Sequence, residues 1–376
     1  MTKLDELIQE LCPDGVEYKE LQEILTIKNG SDYKHLSKGD IPVYGSGGIM
    51  TYVETFSYDK PSVLIPRKGS IDKLYYVETP FWNVDTIFYT DIDSTQIKPK
   101  YLFYCLQREH LEQYNTAGGV PSLTQAVLNK VQIPVPPLPV QREIVRILDN
   151  FAELTAELTA ELTAELTARK KQYEFYRDKL LTFGDVQVGV TSDVIWRALG
   201  EVCKISAGGD APKDSMSKQK TEKYSVPIIS NGIGENALYG YTDAPKVEEP
   251  AVTVAARGTI GYAEYRDYPF YPIIRLLTAI PKDSTIVNTK YLYYCLQGKQ
   301  YSVPMGGIPQ LTAPELKKVE IPIPSLDVQN RIVQVLDNFD AICTDLSSGL
   351  PAEIEARQKQ YEYCRDKLLT FREISN

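Results

Sequence analysis

Four stretches of this chain are written twice, in the same order. YLFYCLQ (Tyr101–Gln107) returns as YLYYCLQ (Tyr291–Gln297), and GGVPSLT (Gly118–Thr124) as GGIPQLT (Gly306–Thr312). VQIPVPPLPVQREIVRILDNF (Val131–Phe151) returns as VEIPIPSLDVQNRIVQVLDNF (Val319–Phe339). RKKQYEFYRDKLLTF (Arg169–Phe183) returns as RQKQYEYCRDKLLTF (Arg357–Phe371), and the last three blocks keep a constant offset of 188 residues. A repeat this long constrains the architecture before any local assignment is made. The segments ahead of the blocks match far less. PRKGSI (Pro66–Ile71) aligns with AARGTI (Ala255–Ile260), and GSGGI (Gly45–Ile49) with SNGI (Ser230–Ile233). Near-identical rears suggest one docking surface made twice; divergent fronts suggest two different recognition tasks.

The rears read clearly as structure. Thr124 and Thr312 fit as N-caps of short helices. A strand follows, then a Pro-rich turn, then a long helix from about Val140 to Phe183, with Ile144, Ile147, Leu148 and Phe151 at helical spacing. Such a helix is about 65 Å long. It contains Thr-Ala-Glu-Leu three times without a mismatch, Thr155–Leu166. Its counterpart in the second half is interrupted by SSGLP (Ser347–Pro351), where Pro351 suits the first turn of a new helical segment. Still, 17 residues separate LDNF from the Arg of the final block in both halves. Equal lengths predict two helices side by side and antiparallel, related by a pseudo-twofold axis. The fronts, rich in Tyr, Gly, Pro and β-branched residues, read as mixed α/β domains of short strands and turns. SVLIPRKGSID and AVTVAARGTIG each look like a strand entering a tight turn. The expected fold is α+β: two mixed domains, 1–138 and 191–326, with helical spacers 139–190 and 327–376 forming an antiparallel coiled-coil pair.

Composition narrows the chemistry. With 43% hydrophobic and 24% charged residues the chain can bury real cores. No apolar run reaches signal-peptide or membrane-span length, so a soluble, cytoplasmic protein without a membrane partner is expected. Six scattered cysteines with no C-x-x-C pair suit reduced, mostly buried thiols, and two histidines leave little for a His-based metal site or triad. There is no [ND]-P-P-[YF] motif to hold a flipped adenine, no Gly-rich cofactor loop after a strand and no phosphate loop. The short G-x-G occurrences read as turns. No catalytic residue, metal or cofactor is therefore assigned. The net charge is −9, yet residues 1–138 carry −5 and residues 191–326 carry +1. If the chain binds DNA, something else must supply much of the phosphate neutralisation.

The duplicated order of fronts and rears, the L-T-x(5)-L-x(4)-I-P-x-P pattern and the TAEL repeats closely resemble the DNA-specificity subunit of type I restriction–modification systems. The TAEL repeat points to the subclass that carries it, termed type IC. The resemblance spans essentially the whole chain. It implies a non-catalytic subunit whose two target-recognition domains each read half of a split, asymmetric double-stranded DNA site. It also implies that the helical regions set the spacing and dock two modification subunits, which use S-adenosylmethionine to methylate adenine. Restriction (nuclease/translocase) subunits complete the enzyme that cuts unmethylated DNA. Two other readings stand beside it: a pseudo-dimeric coiled-coil adaptor that binds only protein, and a self-contained nuclease or methyltransferase, against which the missing motifs weigh.

For DNA contact the candidates are polar residues at turns, where side chains reach base edges or phosphates. In the first domain they are Arg67, Lys68 and Ser70, then Tyr44, Ser46 and Lys34. In the second they are Arg257 and Thr259, then Ser230, Asn231 and Lys213. Arg67 and Arg257 are read as occupying corresponding places near a Gly; each is either a guanine reader or a surface Arg in a hairpin. GGVPS and GGIPQ let backbone approach DNA or serve as structural turns. In the rears, Tyr173, Tyr176, Leu180, Leu181, Tyr361, Leu368 and Leu369 pack the two helices, dock a subunit, or do both on different faces.

Overall fold

The computed structural model describes residues 2–115, 121–183, 194–301, 309–344 and 348–374. It comprises two compact units, Met1–Thr163 with Glu353–Asn376, and Ala164–Ala352. Each unit thus contains one front, the start of the helix that follows it, and the end of the helix belonging to the other half of the sequence. The division falls at Thr163/Ala164, inside the TAEL run.

In the first unit an antiparallel sheet runs in the order Leu25–Lys28, Ile87–Ile92, Ser62–Pro66, Tyr75–Val77. Ser62–Pro66 is buried at every position, so SVLIP reads as a continuous run instead of an alternation. A second sheet is ordered Gly48–Val53, Lys38–Gly45, Trp82–Asn83, with the last pair parallel. The second unit repeats both. Its first sheet is Cys203–Ala207, Leu277–Pro281, Ala251–Val254, Ala263–Arg266, all antiparallel. Its other sheet is Met216–Ser217, Leu238–Thr242, Val226–Ile229, Tyr271–Pro272, again with a parallel last pair and with one strand more. Fronts that scarcely align in sequence therefore share strand order and sense. A strand buried on both faces asks only for apolar side chains of suitable size, so its residues drift while its path stays.

The rears keep their residues because polar hooks hold them. Thr124 Oγ1 accepts the Val127 N–H at 3.4 Å, and Thr312 forms a reciprocal capping box with Glu315. Tyr101 and Tyr291 donate from their hydroxyls to the carbonyls of Pro134 and Pro322. Tyr104 donates to Asp149 and Tyr294 to Asp337, the aspartates of the two LDNF motifs; Lys100 and Lys290 pair with the same carboxylates at 3.0 and 2.8 Å. Gln141 and Gln329, both fully buried, each accept a backbone N–H and donate to two carbonyls.

The long helix is Leu138–Thr182, starting two residues earlier than expected because Pro139 is tolerated in a first turn. Its counterpart is two helices, Leu326–Thr344 and Leu350–Leu368, with Pro351 in the first turn of the latter. In the second unit Cys343 lies by Lys170, Asp340 by Tyr173, and the Phe339 ring is 5.8 Å from Tyr176. Residue numbers rise on one helix as they fall on the other, so the pair is antiparallel. In the first unit Tyr361 lies beside Asp149 in the equivalent way. Tyr173 and Leu369 are core residues, and Leu180, Leu181 and Leu368 pack against those cores. Tyr361 is half-buried, and Tyr176 is 38% exposed. Of the six cysteines, five are buried free thiols and Cys364 is half-buried.

Candidate nucleic-acid interface

Each front brings its polar turns to one rim. In the first domain the strand Lys38–Gly45 ends at Ser46, whose N–H donates to Thr86 Oγ1 at 3.4 Å and whose carbonyl accepts from Tyr75 OH at 3.2 Å. The strand Ser62–Pro66 runs into Arg67–Ser70, where Gly69 has φ +80°. A Cβ on Gly69 would lie 3.7 Å from Ser46 Oγ, so the two turns abut. Gly69 N–H donates to Pro121 O, and Lys68 bridges to Ser122. Lys68 is exposed. Arg67 is half-buried: its guanidinium lies over Phe88 at 5.2 Å, Nη1 donates to Asn29 Oδ1 at 3.4 Å, and Nε has no partner among the described residues. Tyr44 packs against Tyr75 and Phe81, and burial pushes its phenol above the usual range. Ser70 is half-buried beside Arg67, whereas Lys34 is exposed and makes no side-chain contact with these turns among the described residues.

In the second domain Asn231 ties three turns together. Its Oδ1 accepts the Ala256 N–H at 2.8 Å, its Nδ2 donates to Ile274 O at 2.6 Å, and its carbonyl accepts from Thr259 Oγ1 at 3.1 Å. Ser230 Oγ donates to Ala237 O. Arg257 donates from Nε and Nη2 to Gln310 Oε1, at 3.0 and 2.6 Å. Lys213 lines a concave surface with Tyr239, Ile273 and Ile274. The amide of Asn231 is thus spent on positioning, while Thr259 and Lys213 are exposed and Arg257 is half-buried against Gln310.

One expected correspondence is corrected. Ile65 opposes Phe88 as Val254 opposes Leu277, and Leu123 N–H donates to Arg67 O as Leu311 N–H donates to Ala256 O. Arg67 therefore matches Ala256, and the counterpart of Arg257 is Lys68. Gly69 and Gly258 are the fixed points, both with positive φ. Of GGVPS and GGIPQ, Gly118, Gly119, Val120, Gly306, Gly307 and Ile308 lie outside the described residues, while Pro121, Ser122 and Gln310 border the turns.

The two domains share a β-bulge that has no signature in residue identity. Pairing shifts between Val43 and Tyr44 in one domain and between Ile228 and Ile229 in the other. The shift leaves Ile49–Met50 and Leu238–Tyr239 at the same place, exposed by 50%, 57%, 42% and 39%. Gly45 makes room for Met50, whose Sδ would sit 2.6 Å from a Cβ there. Bulges re-aim side chains, and here both aim apolar residues beside the polar turns. Pairing registers, not residue identity, would have been needed to find it.

Among the described residues no group of three or more His, Cys, Asp and Glu side chains could hold a metal, and no helix is long and apolar enough to cross a membrane. Two sheet domains of one topology, each with turns at its rim and each seated on a copy of the same helix, define a duplicated, bipartite recognition protein. A family model described as the type I restriction modification DNA specificity domain matches residues 13–168 and 192–356. The chain belongs to that family. It is 36% identical over 332 residues to a putative type I specificity subunit of Mycoplasma pneumoniae, covering 86% of this chain and 97% of the relative. It is 34% identical over 378 residues to a putative type I restriction enzyme specificity subunit of Haemophilus influenzae, covering 95% and 96%. The EcoR124I/EcoR124II specificity subunit of Escherichia coli is 32% identical over 313 residues, 75% of this chain and 73% of that one. In fold the chain matches one from work on complex assembly and conformational transition of the type I restriction–modification system. There the TM-score is 0.72 at 17% identity, over 96% of this chain and 98% of that one.

Proposed function

We propose that this chain is the DNA-recognition subunit of a type I restriction–modification enzyme, each front reading one half of a split site in double-stranded DNA. The observation that carries this is the pair of sheet domains with matching strand order whose polar rim residues differ while the helical rears are nearly identical in sequence. Different rims suit different half-sites; identical rears suit two copies of one partner. That partner is a modification subunit that binds S-adenosylmethionine and methylates adenine, and two of them dock, one per rear. Phe175 and Tyr363, equivalent by the offset of 188, are 61% and 66% exposed and supply an aromatic anchor on each helix. Restriction subunits join the same assembly. The partners also explain how a chain of charge −9 works on DNA, since they share the phosphate grip. The protein acts in the cytoplasm, where its DNA is.

The rim residues Lys68, Ser70, Ser46, Arg257 and Thr259 contact bases or phosphates on this reading, while Arg67, Tyr44, Ser230 and Asn231 shape the turns. One experiment on the assembled complex tests the whole. Residues 191–326 are exchanged for the front of another such subunit, and native mass and methylated sites are recorded. The expected result is two bound modification subunits and a change in one half-site only. A single bound subunit at saturation, or loss of both half-site preferences, would contradict it.

A further inference from the structure

The turn Ile273–Leu276 joins the parallel strand Tyr271–Pro272 to the buried strand Leu277–Pro281. Two consecutive non-glycine residues in it are left-handed, Ile274 at φ +53° and Arg275 at φ +60°. A β-branched residue rarely occupies that region, and it stays there only when its surroundings over-determine it. Here they do. Ile274 N–H donates to Gly209 O at 2.9 Å, Arg275 N–H to Gly208 O at 3.0 Å, and Asn231 Nδ2 to Ile274 O at 2.6 Å. Gly208 is obligatory for this approach, because a Cβ there would come within 2.7 Å of the Pro272 carbonyl carbon.

The sheet itself does not require the left-handed pair. Val43 opposes Trp82 as Ile228 opposes Tyr271, so the equivalent turn of the first domain is Val84–Ile87, of the same length. There Asp85 and Thr86 have no positive φ, and Thr86 Oγ1 accepts from Ser46 N–H. Where the first domain has a short side chain satisfied internally, the second has an exposed Arg. Its guanidinium makes no hydrogen bond or ion pair among the described residues. It stands beside Asn231, which also holds the Ala256–Thr259 turn.

We propose that Arg275 is a base-reading residue of the second domain, and that the strained turn holds its fork for the O6 and N7 edge of a guanine in the major groove. Arg presents the bidentate geometry such an edge needs, and a turn locked by three hydrogen bonds reduces the ordering cost of presenting it. The inference rests on the recognition reading above. It also makes the half-sites unlike: the first domain has no arginine at this place.

The test uses the complete complex with its modification subunits and duplexes carrying every single-base change across both half-sites. Arg275→Ala, at an exposed side chain, should keep the thermal midpoint and lose about 10- to 100-fold discrimination at one guanine of the second half-site. Arg275→Lys should lose it as well, because Lys keeps the charge without the fork. The first half-site should be read unchanged by both variants. Uniform weakening on all duplexes, or wild-type discrimination by Arg275→Lys, would overturn the proposal in favour of a phosphate contact. If both variants read every position as the wild type does, Arg275 is no reader while the recognition function stands. A wild-type complex with no base preference in either half would overturn both.

Discussion

Gln141 and Gln329 show what a single repeated residue can carry. Each lies in the first turn of a long helix, fully buried, and fastens that helix to its own front by three hydrogen bonds. Replacing Gln141 with Leu would leave the Lys98 N–H and the carbonyls of Gln96 and Pro136 without these partners. We expect Gln141→Leu to cost about 2–4 kcal/mol, because buried polar groups left unpaired forfeit more than the bond itself is worth. Urea denaturation of the wild type and the variant measures it; equal midpoints would show that the clamp contributes nothing. A lone Gln beside Val140 in an amphipathic pattern looks like a surface residue, so periodicity gives no hint of its burial. The hint was its recurrence at the same place in both copies. At the rim Arg67 and Arg257 both look like readers, but the alignment of PRKGSI with AARGTI already sets Lys68 against Arg257, and the pairing of neighbouring strands agrees with it.

Elements were legible where the pattern was long and strong. The central helix, its broken counterpart, the Thr caps and the strand-to-turn passages at Pro66 and Ala255 all follow from periodicity and turn residues. The common topology of the fronts was not legible, because buried strands specify little beyond apolarity and the matching lies in registers. Within the helix the TAEL units are alike in sequence but not in surroundings. Leu154 is 63% exposed, Leu158 and Leu166 are half-buried, and Leu162 is 8% exposed. A spacing of four advances each Leu by about 40° around the helix, so the stripe turns from solvent into the core within two units. Leu162→Ala should therefore destabilise by about 2–4 kcal/mol, whereas Leu154→Ala should stay within about 0.5 kcal/mol. Thermal melts of the two variants compare them directly, and equal losses would contradict a winding stripe.

For the molecule as a whole, the boundary between the compact units falls within the TAEL run, at Thr163/Ala164. We propose that repeat units at that place set the separation of the two recognition domains, each unit offering a Leu to replace the buried Leu162. Each unit adds four residues, about 6 Å of length and about 40° of rotation. B-DNA advances about 3.4 Å per base pair and completes a turn in ~10–10.5 base pairs, so one unit is commensurate with a change of one or two base pairs. Removing Thr159–Leu162 brings Leu166 into the place of Leu162, and the stripe is kept. Whether the fronts read and the repeat measures is decided by mapping methylated adenines in a host expressing this four-residue deletion. Both half-site sequences should stay unchanged and the gap between them should shorten by one or two base pairs. Methylated sites with the original spacing, or with altered bases at either half, would contradict it.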